Sequence, residues 1–123
     1  MDDSKIFIVG ANGQLGLALR EKYPQAKYAD VDELDITNSD SVANFDWTST
    51  SHILNAAALT NVDGAETESG RRASWAVNAS AVAYLAEVAN NNNATLVHIS
   101  SDYVFDGTNQ EHTEDEPFSP LSV

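Results

Sequence analysis

The chain has 123 residues, Lys+Arg 6 against Asp+Glu 19, a formal net charge of -13 and no cysteine. That length is one domain with room for a real core, and the charge would repel nucleic acid or an anionic membrane surface. The missing cysteines remove disulfides, zinc thiolates and a thiol nucleophile together, while no apolar run reaches membrane-spanning length and Met1 to Lys5 does not read as a signal peptide, so a cytoplasmic chain is expected.

Ile6-Phe7-Ile8-Val9 is a continuous apolar run, as in a strand buried on both faces, and Gly10 breaks it. Leu15, Ala18 and Leu19 then recur at helical spacing. In this strand, turn and helix, Gly10 permits the sharp turn, Gly13 leaves room for a phosphate and Gly16 lets the helix lie close on the sheet. The unpaired N–H groups at the helix start favour an anion, so the stretch suits a pyrophosphate, although a turn that merely needs glycines has the same pattern. The helix is expected to end near Tyr23-Pro24.

Gln25 to Tyr28 reads as a second strand ending at Ala29-Asp30. Asp30 lies about twenty residues beyond Gly10, where a nucleotide-binding βαβ unit places an acid on the ribose hydroxyls; the other reading is a solvated turn acid among Asp32, Glu33 and Asp35. Leu34 to Thr37 is expected as a short third strand. Thr37 or Asn38 then caps a helix through Phe45, followed by a polar loop from Asp46 to Ser51. His52 to Asn55 is the fourth strand, and Ala56-Ala57-Ala58 after it either admits a flat ligand or packs against a helix.

From Arg71 to Asn90 the apolar positions Trp75, Ala79, Val82, Leu85, Ala86 and Ala89 fall three or four apart, which predicts one long amphipathic helix. Asn78 sits beside that stripe and needs a partner, whether backbone, water or ligand. Thr95 to Ser100 is a fifth strand, with His98 expected as a satisfied core histidine. Alternating strands and helices imply an α/β, Rossmann-type doubly wound parallel sheet of about five strands in residues 1–107, with 108–123 an acidic loop.

In that order, Gly10-Ala11-Asn12-Gly13-Gln14-Leu15-Gly16, Leu34 to Thr37, Asn55 to Glu66, Val77-Asn78-Ala79 and Ser100 to Gly107 carry a resemblance along the whole chain. They resemble the extended short-chain dehydrogenase/reductases, within them the reductases of dTDP-linked 4-keto-6-deoxy sugars. The resemblance implies NADPH or NADH as cofactor and a sugar nucleotide as substrate of the whole protein. It implies that Gly10, Gly13, Gln14, Leu15 and Gly16 cradle the pyrophosphate, that Asp35 and Ile36 flank the adenine, and that Ala56, Ala57, Ala58 and Thr60 line the nicotinamide side, with Asn12, Asp30 and Asn78 as further cofactor-binding residues. Ser101 stands where the family usually has a threonine, and its hydroxyl can donate the same hydrogen bond to a substrate carbonyl. The family's catalytic Tyr-x-x-x-Lys is expected just beyond the position of Val123, so the chain reads as a cofactor-binding part of such an enzyme. A non-catalytic nucleotide-binding subunit and a related epimerase or dehydratase are the alternatives. An exposed edge strand is expected to pair with a second copy through Thr95 to Phe105, or to be covered by the Thr108 to Val123 tail.

Overall fold

The computed structural model describes residues 2–122. Strands β1 (Ile6–Val9), β2 (Lys27–Ala29), β3 (His52–Asn55) and β4 (Thr95–His98) form one parallel sheet in the order β2-β1-β3-β4. Helices α1 (Gln14–Lys22), α2 (Ser39–Asn44), α3 (Val62–Ala65), α4 (Glu68–Trp75) and α5 (Ala81–Asn91) alternate with them.

Central position explains β1: with strands on both sides and helices over both faces, all four of its residues are buried. Alternate side chains enter two cores. Phe7 and Val9 join Val42, Trp47, Leu85 and Val88 on the α2 and α5 side, whereas Ile6 and Ile8 meet Leu19 and Tyr23 on the α1 side. The segment Asp46 to Ser51, expected as a polar loop, puts Trp47 into the first core at 5% exposure, with its Nε1–H donated to the Val42 carbonyl at 2.9 Å. Its ring meets Phe7 edge-on, centroids 5.0 Å apart.

The sheet has four strands among the described residues, not five. Leu34 to Thr37 is a loop, because local hydrogen bonds compete with a ladder: the Asp35 carboxylate accepts the Thr37 N–H at 2.9 Å and its hydroxyl at 2.6 Å, and the Leu34 N–H goes to the Asp30 carbonyl. Leu34 and Ile36 are buried nonetheless, so the apolar pattern anchors this loop rather than pairing it.

The expected helix from Arg71 to Asn90 is also broken. α4 begins earlier, at Glu68 with Thr67 as cap, and a π turn at Ala76–Ser80 separates it from α5. One extra residue per turn rotates the two halves by about 100° relative to each other. Ser74, Ala81, Leu85, Val88 and Ala89 are therefore the buried set, while Trp75 is 61% exposed and Ala86 faces outward.

Among the described residues β4, which ends at His98, pairs with β3 and with no other strand. His98 is exposed there rather than a core residue, because no described strand stands on its far side. The described tail, residues 108–122, folds back without helix or strand: the Ser119 N–H reaches the Val104 carbonyl at 2.8 Å, and His112 stacks on Phe105 with centroids 3.9 Å apart. It seats on Phe105 and leaves Val97 and Ile99 exposed, so the tail does not cover the strand.

Candidate functional site

The C-terminal ends of β1 and β3 open into a cleft of about 410 Å³, which is where an open parallel sheet offers room for a ligand. One wall is the glycine turn. Gly10 has φ +74, and a Cβ there would lie 2.6 Å from the Ala57 nitrogen, so the turn and the Ala56–Ala57 backbone touch. Gly16 lies beneath: a Cβ would come within 2.1 Å of the Gly10 carbonyl oxygen, and this contact seats α1 on the turn.

Gly13 differs from both. It lines the cleft as the N-cap of α1, with no side-chain cap, and a Cβ there would meet nothing nearer than the Gly10 oxygen at 3.5 Å. Space stands in front of unpaired helix N–H groups, a fit for the pyrophosphate of a dinucleotide.

Asp30 closes the turn from β2. Its carboxylate accepts the Asn12 N–H at 2.8 Å and the Val31 N–H at 2.8 Å, which makes it a brace of the turn as well as a lining group of the cleft. Arg20, which sequence reasoning missed, supports the same turn from α1. Its guanidinium lies 4.0 Å over the Tyr28 ring and donates to the Asn12 side-chain oxygen at 3.2 Å. Only its helical position told against it, since Arg20 is seven residues past Gly13 and two turns away from the glycines.

On the opposite wall, Asn55 is 2% exposed and its Oδ1 accepts the Ala57 N–H at 3.1 Å, which turns the chain sharply off β3. Asn78 sits in the π turn and finds backbone as its partner. Its Oδ1 accepts the Leu59 N–H at 2.8 Å and its Nδ2 donates to the Leu59 carbonyl at 3.0 Å, so one side chain clamps one residue of the cleft wall.

Of the residues singled out from sequence, Gly10, Gly13, Asp30, Asp35, Ile36, Ala56, Ala57 and Ala58 line the cleft. Asn12, Gly16 and Asn78 brace its walls from behind. Gln14 and Leu15 start α1 with exposed side chains, and Thr60 is exposed beyond the wall. Ser101 stands outside the cleft lining, at the start of a short 3-10 turn, where its Oγ accepts the Tyr103 N–H at 3.2 Å. As a donor that hydroxyl makes a long contact, 3.5 Å, to Asp102. Tyr23 and Lys27 have the spacing of a Tyr-x-x-x-Lys pair but are split between the end of α1 and β2, with Lys27 Nζ near the Thr48 carbonyl.

The resolved carboxylate shifts lie away from the cleft. Glu116 is held below the ordinary range by the hydrogen bond from His112, and Asp106 by the Thr108 hydroxyl and N–H. Among the described residues no cluster of His, Asp or Glu could hold a metal ion, and no helix is long and apolar enough to cross a membrane.

Residues 4–123 match the family model described as the RmlD substrate binding domain. The chain is 40% identical over 127 residues to a dTDP-4-dehydrorhamnose reductase of Aggregatibacter actinomycetemcomitans, covering 98% of this chain and 42% of that protein. Two solved structures are similar at 36% identity. One is a dTDP-4-dehydrorhamnose reductase of Clostridium acetobutylicum, with TM-score 0.87 over 95% of this chain and 43% of that one. The other is a dTDP-4-dehydrorhamnose reductase of Bacillus anthracis in complex with NADP, with TM-score 0.86 and the same coverage of 95% and 43%. The chain thus spans less than half the length of these relatives.

Proposed function

The chain belongs to the RmlD substrate binding domain family, and from that membership we propose that it is the NADPH- or NADH-binding part of a reductase that converts a dTDP-4-keto-6-deoxy sugar to dTDP-L-rhamnose. The observation that carries this reading is the open space at Gly13, facing the Ala56–Ala58 wall across one cleft. Bound there, the cofactor would supply hydride to C4 of the sugar.

The chain's own residues do the holding. Gly10, Gly13 and the first N–H groups of α1 take the pyrophosphate, and Asp30, with Asp35 and Ile36, serves the adenosine end. Ala56, Ala57 and Ala58 leave the nicotinamide side flat, because a larger side chain there would fill the cleft. Ser101, outside the cleft lining, is assigned the polarising of the substrate carbonyl: its hydroxyl would give up a long, weak contact with Asp102 for a stronger acceptor. Among the described residues no tyrosine and lysine stand at the Tyr-x-x-x-Lys spacing on one helix, so this part is expected to bind cofactor without fast turnover. A positioned general acid is commonly worth about a hundred- to ten-thousandfold.

Calorimetric titration of the chain with NADH and with NADPH tests the binding, and nicotinamide absorbance in the presence of dTDP-4-dehydrorhamnose tests the turnover. Micromolar binding without turnover is expected. No binding of either dinucleotide overturns the reading, and turnover at the rate of a full-length relative overturns the division of labour.

A further inference from the structure

The wall opposite the glycine turn is held by a relay that ends at a titratable group. Asn55, at the end of β3, has given its Oδ1 to the Ala57 N–H. The remaining half of its amide, Nδ2, stands 3.1 Å from Nδ1 of His98, the residue beside it in the β3–β4 register. An amide nitrogen only donates, so Nδ1 is the acceptor and the ring proton is on Nε2. Nδ1 is then the ring's one basic atom, and any proton His98 gains arrives on the atom that accepts the Asn55 bond.

We propose that His98 is a positioning residue that, through Asn55, fixes the Ala57 backbone on the wall of the cofactor cleft, and that protonation of its imidazole releases that wall. The inference rests on the cofactor reading of the cleft. With Nδ1 protonated, two donors face each other at hydrogen-bond distance. Turning the Asn55 amide over returns an acceptor to His98 but sets NH2 against the Ala57 N–H. In either orientation one bond is replaced by opposed donors at a side chain that is 2% exposed and out of reach of water. Ala57 cannot relax without consequence, since the Gly10 turn lies against its nitrogen, so both walls of the cleft move together.

The surroundings leave His98 free to act as the sensor. β3 presents Asn55 to it, and among the described residues no strand packs on its other side and no carboxylate lies within ion-pair distance of its ring. The exposed ring exchanges protons with solvent directly. Because the bond exists only with the neutral ring, the ordered wall belongs to the high-pH side and is lost once Nδ1 takes up a proton.

The test follows the Ala57 amide and the His98 ring by NMR in the 123-residue chain from pH 8 to 5, beside NADH affinity over the same range. The Ala57 amide is expected to shift in step with the His98 ring, with NADH affinity falling about fivefold or more, the loss of one buried hydrogen bond. His98→Gln, whose side-chain oxygen can accept from Asn55, is expected to keep the high-pH affinity and flatten both profiles. An Ala57 amide that stays still while His98 titrates, or a His98→Gln profile as steep as the wild type, overturns the proposal. Absence of NADH binding at every pH overturns the cofactor reading, and the Ala57 signal still decides the relay on its own.

Discussion

β1 and β4 are both four-residue strands with aliphatic side chains in the same parallel sheet, yet Ile8 is wholly buried whereas Val97 is 41% and Ile99, just beyond β4, is 57% exposed. Their surroundings differ more than their residues. β1 has a neighbour on each side and a helix layer on each face; β4 has one neighbour, and α5 covers the face of Leu96 while that of Val97 is open. What a strand's composition contributes to stability is therefore set by its place in the order, and substitutions should grade accordingly from the glycine turn to the edge.

The largest effect is expected at Gly16. A valine there drives a Cβ into the Gly10 carbonyl and lifts α1 from the turn, at a cost of about 3 kcal/mol or more. Urea unfolding followed by circular dichroism should show a chain unfolded, or nearly so, in buffer; a wild-type midpoint would mean that α1 is not seated where the contact puts it. Gly13→Val separates fold from site. Nothing within the protein crowds that Cβ, so the unfolding midpoint should hold while NADH affinity falls at least about a hundredfold, the phosphate space being filled. Equal affinity of the two forms would move the pyrophosphate elsewhere.

The same contrast explains what was legible in the sequence. The glycine turn was readable because three glycines in seven residues, after a β-branched run, state a backbone requirement that few folds share. His52 to Asn55 and the cap at Asn38 were readable for a similar reason, local chemistry that agrees with the tertiary result. Leu34 to Thr37 misled because burial and pairing were treated as one property: its apolar residues are buried, but Asp35 captures the backbone first. The π turn was invisible because apolar spacing over Arg71 to Asn90 suits one helix, and the phase slips at the turn where Asn78 bonds Leu59, a contact distant in sequence. His98 looked like a core residue from its apolar neighbours; nothing local says that its strand lies at an edge.

Two smaller effects sharpen the picture of the cleft walls. Asn78→Ala removes both bonds to Leu59, which should destabilise by about 1–2 kcal/mol and lower the melting temperature by several degrees. NADH affinity should fall with it, because Leu59 lines the cleft; a stability loss with unchanged affinity would make the clamp purely structural. Cofactor choice should be weaker still. From Tyr28 to Asn38 there are four acids and no basic residue, and Arg20 is engaged with Tyr28 and Asn12. A 2′-phosphate meets like charge there, so NADH should bind about two- to fivefold more tightly than NADPH. Tighter NADPH binding would show that Asp30 does not face the ribose.

The smallest effect on stability is expected at the edge. Val97→Lys places a charge on a side chain already open to water, so the unfolding midpoint should change by less than about 0.5 kcal/mol, where a lysine at Val9 would unfold the chain. Its effect should appear between molecules instead. An unpaired aliphatic edge is a template for a second strand, but two copies each carrying a net charge of -13 repel at long range. Salt shortens that range from about 10 Å at 0.1 M to about 3 Å at 1 M without weakening strand pairing. Light scattering across such a series should therefore show the wild-type chain associating as salt rises, and Val97→Lys remaining a monomer. A wild type that stays monomeric throughout would mean that edge exposure alone does not bring copies together. The difference between β1 and β4 would then concern folding and not assembly.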